Sequence, residues 1–161
     1  MNMKITIVCV GKIKEKYLSE GVKEYFKRLS NYCNMSIIET KEEKAPENLS
    51  DAERENLKII EGESILKNIK DDMYVFALEI NGKALSSEEL AEKIEALGVQ
   101  GKSNLAFIIG GSLGLGEEVI KRADFRLSFS PMTFPHQLMR LILLEQIYRG
   151  FKIIKNEPYH K

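Results

Sequence analysis

The stretch "FIIGGSLGLG", Phe107–Gly116, places four glycines in ten positions directly after an apolar run. A buried strand that breaks into a glycine-rich turn and then a helix is the junction of an α/β protein. Working outward, the strand itself spans 104–109, and a short helix follows from Glu117 to Ala123. "RLSF" at 126–129 is a further strand. "SPMTFP" forms a loop, and Pro135 suits the first position of a last helix that reaches Gly150. Upstream, "MKITIVCV" at 3–10 is β-branched and apolar, as a strand covered on both faces must be. Val22, Phe26, Leu29 and Cys33 mark one apolar helix face at three- and four-residue steps. "MSIIE" at 35–39 is the second strand, and the charged segment 40–50 is an exposed loop. Ser50 with Glu53 and Ser86 with Glu89 are capping boxes. The first opens a helix reaching about Lys70, and the second opens one that Gly98 ends. Between them, strand 73–80 stops at an Asn81-Gly82 turn. Strands alternate with helices throughout. The fold class is therefore α/β, a mostly parallel sheet with helices on both faces, in one domain spanning 1–161.

The glycines match neither familiar fingerprint. A dinucleotide site needs G-x-G-x-x-G and an acid some 20 residues on. Gly110, Gly111, Gly114 and Gly116 have other spacing, and "SPMTF" stands where the acid belongs. Gly111 and Gly116 have a phosphate-loop gap, but Glu117-Glu118 replace the Lys and Ser/Thr. Two carboxylates at a helix start repel polyphosphate. The turn is either a tight strand-to-helix connection or a close main-chain approach to an uncharged or cationic ligand.

Composition narrows the class further. The 161 residues carry 24 basic and 24 acidic side chains, so the formal net charge is zero. That disfavours binding of naked nucleic acid through phosphates, although a local basic patch could suffice. The two cysteines, Cys9 and Cys33, have no metal-ligand or redox spacing and read as buried thiols of a reducing, cytoplasmic compartment. No apolar stretch approaches membrane-spanning length, and no metal cluster is evident.

Two other segments carry chemistry. "FSPMTFPH", 129–136, is free of acidic and basic charge apart from its histidine, is stiffened by two prolines and leaves a strand directly. It can offer main-chain groups to a flat heterocycle between Met132 and Phe134, or those two can be core. Ligands of open α/β sheets sit beyond the carboxyl ends of strands. Three such ends converge: Leu78–Ile80, Gly110-Gly111 and Phe129–Phe134. The tail "NEPYHK" holds Tyr159 and His160 after Pro158, as a solvated end or as a functional one. His136 reads as a capping or packing residue. Arg140 reads as a surface helix charge or an anion contact.

Together, "FIIGGSLGLG", "LSFSPMTFPHQLMRLILLEQIYRGFKIIKNEPYHK" and "MKITIVCVGKIKEKY" resemble the ribosomal RNA large subunit methyltransferase H family of the SPOUT class. The resemblance covers the whole chain and is strongest from Leu105 to Lys161. It implies a C-terminal trefoil knot, a homodimer, and S-adenosylmethionine as cofactor. It implies methylation of N3 of pseudouridine 1915 in 23S rRNA on the assembled ribosome. By position it assigns cofactor contacts to Leu78, Gly110, Phe129, Ser130, Pro131, Met132, Thr133 and Phe134. On this reading Tyr159 and His160 act at the acceptor base, with His160 as proton acceptor. Arg140 binds phosphate or stabilises the developing imidate.

Overall fold

The computed structural model describes residues 2–161. The elements in chain order are β1 (Lys4–Val10), α1 (Lys16–Leu29), β2 (Asn34–Thr40), α2 (Asp51–Leu66) and β3 (Tyr74–Ala84). Then come α3 (Ser87–Val99), β4 (Asn104–Ile109), α4 (Glu117–Arg122), β5 (Phe125–Ser128) and α5 (His136–Ile154). The five strands form one sheet in the order β2-β1-β4-β3-β5, and every pairing is parallel.

Burial follows the period-two alternation of β1. Ile5, Ile7 and Cys9 face a core built with α1, α3 and α5. Val8 and Val10 face the opposite core, where Ile65 of α2 and Val119 of α4 close the sheet. Helices therefore cover both faces, which explains why the central strands β1 and β4 are mostly apolar. The registered pair Phe76 and Phe107 stack at 4.4 Å between ring centroids in the first core. Burial pushes the Cys9 thiol up to about 11 and the Cys33 thiol up to about 12, so both stay protonated at neutral pH.

Both capping boxes form, with Ser50 and Ser86 each accepting from the main chain of the glutamate three residues on. Several boundaries differ from the sequence reading. The helix α1 stops at Leu29, and Cys33 lies in the turn that follows, its main-chain N–H bonded to Leu29 O. The helix α2 ends at Leu66 rather than near Lys70. The helix α3 runs through Gly98 to Val99, and Gly101 takes the left-handed conformation (φ +81°) just beyond it. Pro135 caps α5 from outside instead of opening it, and α5 passes Gly150 to reach Ile154.

The largest correction lies in β3. Asn81-Gly82 does not end the strand. Leu127 of β5 pairs with Leu78 and again with Lys83, so residues 79–82 bulge out between the two registers. A side chain at position 82 would stand 2.6 Å from Arg126 O, so glycine is a steric requirement there. The bulge turns Glu79, Ile80 and Asn81 toward the carboxyl edge of the sheet, where the glycine turn and the proline-framed loop also emerge.

Candidate active site

The ends of β3, β4 and β5 enclose a cleft of about 470 Å³. Leu78, Gly110, Phe129, Ser130, Met132, Thr133 and Phe134 all line it, so the three strand ends singled out in the sequence meet in one place. Pro131 is the exception; it frames the loop from outside the cleft wall.

The local geometry explains the residue types. The glycine turn folds back on itself: Gly114 N–H donates to Gly111 O at 3.1 Å, and Gly114 sits at φ +82°. A Cβ on Gly110 would lie 3.0 Å from Leu115 Cδ2 and 3.1 Å from the Gly114 carbonyl carbon. The turn is a tight connection, and it also lines the cleft wall. In the next loop, Met132 N–H donates to Ser130 Oγ at 3.0 Å, and Ser128 Oγ donates to Ser130 O at 3.3 Å. These bonds hold the turn that the prolines stiffen. Met132 is 72 % exposed, so it is not a core residue.

Charge in the cleft is sparse. Lys58 reaches in from α2 but pairs with Glu55 at 3.3 Å. Glu79 is the carboxylate of the wall; its Oε2 is buried and lies 3.5 Å from Arg126 Nη1. With Lys58 paired to Glu55 and Glu79 close to Arg126, the wall offers no free cation for a polyphosphate among the described residues. Glu117 and Glu118, at the start of α4, are both taken up by Lys121.

His136, read from sequence as a cap or packing group, lines the cleft and lies 3.5 Å from Glu42 Oε2. Its dual position could not be read from periodicity, because Glu42 approaches from the loop after β2. Glu61 on α2 was also missed. It is almost fully buried, its Oε2 accepts the Glu43 N–H at 2.9 Å, and its Oε1 has no partner. Burial raises its pKa; the Glu43 N–H bond opposes this, and the nearby Glu42 and Glu43 charges add to it.

Arg140 requires a correction. Neither a surface charge nor a free anion contact, it is 2 % exposed, donating from Nη1 to Glu39 Oε2 at 2.6 Å and from Nη2 to Gly11 O at 2.9 Å. Those bonds tie α5 to the carboxyl ends of β1 and β2. In this chain the guanidinium is a structural strut.

The tail is docked away from the cleft. Tyr159 Oη donates to Glu145 Oε2 at 2.7 Å and lies 3.3 Å from the Tyr25 hydroxyl, which must then be the donor between the two. Its ring stands edge-on to Tyr148 at 4.9 Å, and Arg149 lies 4.8 Å over its face. Burial and the hydroxyl contacts with Tyr25 and Glu145 raise the Tyr159 pKa far above the usual phenol range. His160 Nδ1 lies 3.0 Å from Arg149 Nη1. A guanidinium can only donate, so Nδ1 accepts and the ring proton sits on Nε2, facing Glu88. Burial works against ionisation of Glu145, but its bonds from Arg149 and Tyr159 outweigh that and hold its carboxyl below the usual range. Both nitrogens of the sequence's candidate base are thus engaged within the chain.

An open parallel α/β sheet with a sparsely charged cleft beyond its strand ends has the build of a ligand-binding protein without a phosphate loop. The family model described as "Predicted SPOUT methyltransferase" matches residues 3–160. The chain belongs to the SPOUT methyltransferases, in the ribosomal RNA large subunit methyltransferase H family. It is 69 % identical over 159 residues to the protein of that name from Alkaliphilus oremlandii, covering 99 % of this chain and 100 % of the relative. The relatives from Clostridioides difficile and Enterococcus faecalis, with the same name and coverage, are 64 % and 61 % identical. A solved structure titled "The structure of a probable methylase family protein from Haemophilus influenzae Rd KW20" superposes with a TM-score of 0.52 at 16 % identity. It covers 96 % of this chain and 67 % of that one, and shows the shared fold.

Proposed function

We propose that this protein is an S-adenosylmethionine-dependent methyltransferase that modifies N3 of pseudouridine 1915 in 23S rRNA, acting on the assembled ribosome. The cleft is the observation that carries the reading, and the names of the close relatives support the RNA substrate. The cleft fits the cofactor chemically. Main chain at Gly110 and along Ser130–Phe134 can hold the adenine edge and ribose, Leu78, Phe129 and Phe134 supply apolar walls, and Glu79 faces the cationic end.

When bound, S-adenosylmethionine supplies a methyl group on a sulfonium, and in-line displacement breaks the S–CH₃ bond as the N3–CH₃ bond forms. The protein's tasks are to align the acceptor and to remove the imide proton. Alignment contributes several kcal/mol, and a positioned base about 10²–10⁴-fold. Tyr159 and His160 are the proposed acceptor-site residues. Within one chain they are pinned to α3 and α5, outside the cleft. We therefore place the active enzyme as a homodimer in which one protomer's tail serves its partner's cleft. Exposed Met132 and Ile80 at the cleft mouth support a covering surface there. His160 Nδ1 then has to release Arg149 before it accepts a proton.

The test uses ribosomes lacking the modification, incubated with methyl-labelled S-adenosylmethionine. Mass mapping should place the label on N3 of that one pseudouridine. Label at another nucleotide, or none, would overturn the reading. Calorimetry with S-adenosylhomocysteine should show binding that Tyr159→Phe and His160→Ala leave intact while methylation falls.

A further inference from the structure

A second cavity, about 840 Å³, opens beside the cleft at the carboxyl ends of β1 and β2. Ser112 and His136 line both, so the two share a wall. Four lysines stand around the second cavity: Lys12 and Lys14 after β1, Lys41 and Lys44 after β2. All four are exposed, and none lies within an ion-pairing distance of a carboxylate among the described residues. Three acids line the same cavity: Glu39 holds Arg140, Glu42 faces His136, and the Glu43 carboxylate makes no ion pair among the described residues. Lys14 N–H also bonds Gln137 Oε1 at 3.2 Å, which fixes that loop against α5.

This arrangement differs from the basic tail. Lys152, the half-buried cation of α5, is matched by Glu157 at 3.5 Å and lies over the Tyr32 and Tyr148 rings. In a chain of zero net charge, four lysines stand against three glutamates in this cavity, and two of those glutamates face Arg140 and His136 rather than the lysines, which leaves a modest local excess of positive charge on the two loops.

Resting on the methyltransferase reading above, we propose that this second cavity is the RNA-strand surface of the enzyme. Lys12, Lys14, Lys41 and Lys44 contact successive phosphates of the strand that delivers the target nucleotide. The floor at Ser112 and His136 marks where that nucleotide passes into the cleft. Lysines serve here as mobile point charges, which tolerates an irregular ribosomal strand better than fixed guanidinium forks would. The lysines supply position and affinity, while base identity is read elsewhere.

The experiment compares the full-length wild type with Lys12→Gln/Lys14→Gln, Lys41→Gln/Lys44→Gln, and a control pair, Lys4→Gln/Lys102→Gln, at the opposite, amino end of the sheet. Binding to unmodified ribosomes is measured by sedimentation from about 50 to 200 mM salt. Each lost single-strand phosphate contact lowers the salt slope by about 0.7, so each cavity pair should lower it by about 1.4. Over that fourfold salt range the wild type should weaken about sevenfold more than either variant. S-adenosylhomocysteine binding should be unchanged in all four proteins, and the control pair should behave as wild type. Cavity variants with wild-type slope and affinity would overturn the proposal, as would equal weakening in the control. If the wild type methylates ribosomes while the cavity variants bind them normally, only this surface is refuted. If the wild type neither binds nor methylates them, the methyltransferase reading falls and takes this surface with it.

Discussion

Arg140→Ala should cost about 3 kcal/mol of stability and leave cofactor binding nearly unchanged. The magnitude follows from what the side chain holds. Its bond to Glu39 is charge-assisted, a class worth about 1.5–3 kcal/mol. The Glu39 side chain is 37 % exposed, so solvent recovers part of that and about 1 kcal/mol remains. Gly11 is buried, and its carbonyl loses the Nη2 donor at 2.9 Å, which costs about 1–3 kcal/mol. The methylene stem adds lost packing on α5. For a chain of this size, ~3 kcal/mol lowers Tm by about 6–12 °C. Arg140→Lys keeps one point charge but cannot span both partners, so it should recover about half of the loss. Scanning calorimetry of the three proteins, with S-adenosylhomocysteine titrations beside it, reads both quantities. A Tm of Arg140→Ala within about 2 °C of wild type would refute the strut. If ribosome methylation then collapsed while stability held, Arg140 would contact substrate as the family resemblance implies, and the buried ion pair would have to open in the complex.

Gly110→Ala should weaken S-adenosylhomocysteine binding, because the new methyl meets the Gly114 carbonyl carbon at 3.1 Å and pushes the turn into the cleft; calorimetry with wild-type affinity would refute the close approach. Ser130→Ala removes the Oγ that accepts the Met132 N–H, and the loosened loop should bind the same ligand several-fold more weakly, as a lost bond of about 1 kcal/mol requires. Glu61 has a folded-state pKa raised above its unfolded value, so the native state holds the proton more tightly. Its effect therefore favours folding below the unfolded pKa and turns against it as pH rises through the window up to the folded pKa. Glu61→Gln should gain stability relative to wild type as pH climbs from about 4.5, read by urea unfolding at several pH values; a difference that stays flat with pH would show that Glu61 is not shifted.

The fold was legible because its signals are local. Buried parallel strands need largely apolar runs, and β1 supplies one from Ile5 to Val10, broken only by Thr6, and β4 one from Leu105 to Ile109. A helix start needs a side-chain acceptor three residues ahead of a partner, and Ser50 and Ser86 are such caps. The cleft was legible for a related reason. Strand ends in a parallel sheet share one edge, so segments with unusual loop chemistry after three strands must meet there. The bulge was hidden because Asn-Gly is a turn signal in isolation. Only the repeated pairing of Leu127 from β5 shows that the strand resumes after it.

Long-range pairing set the limit for the charged residues. Nothing in α5 marks Arg140 as buried, since its partner Glu39 lies 101 residues earlier. Tyr159 finds Tyr25 at a separation of 134 residues, and His160 finds Glu88 at 72. Sequence reading ranks His160 as a base by residue type, but a base also needs an unoccupied lone pair. Here Nδ1 accepts from Arg149 and Nε2 presents its proton to Glu88. The tail's Tyr159 and His160 thus lie outside the cleft lining in one chain. If the tail acts at the cleft as proposed, a second tail must reach it or the chain's own tail must undock, and the Glu145–Arg149–His160–Glu88 network sets what that exchange costs.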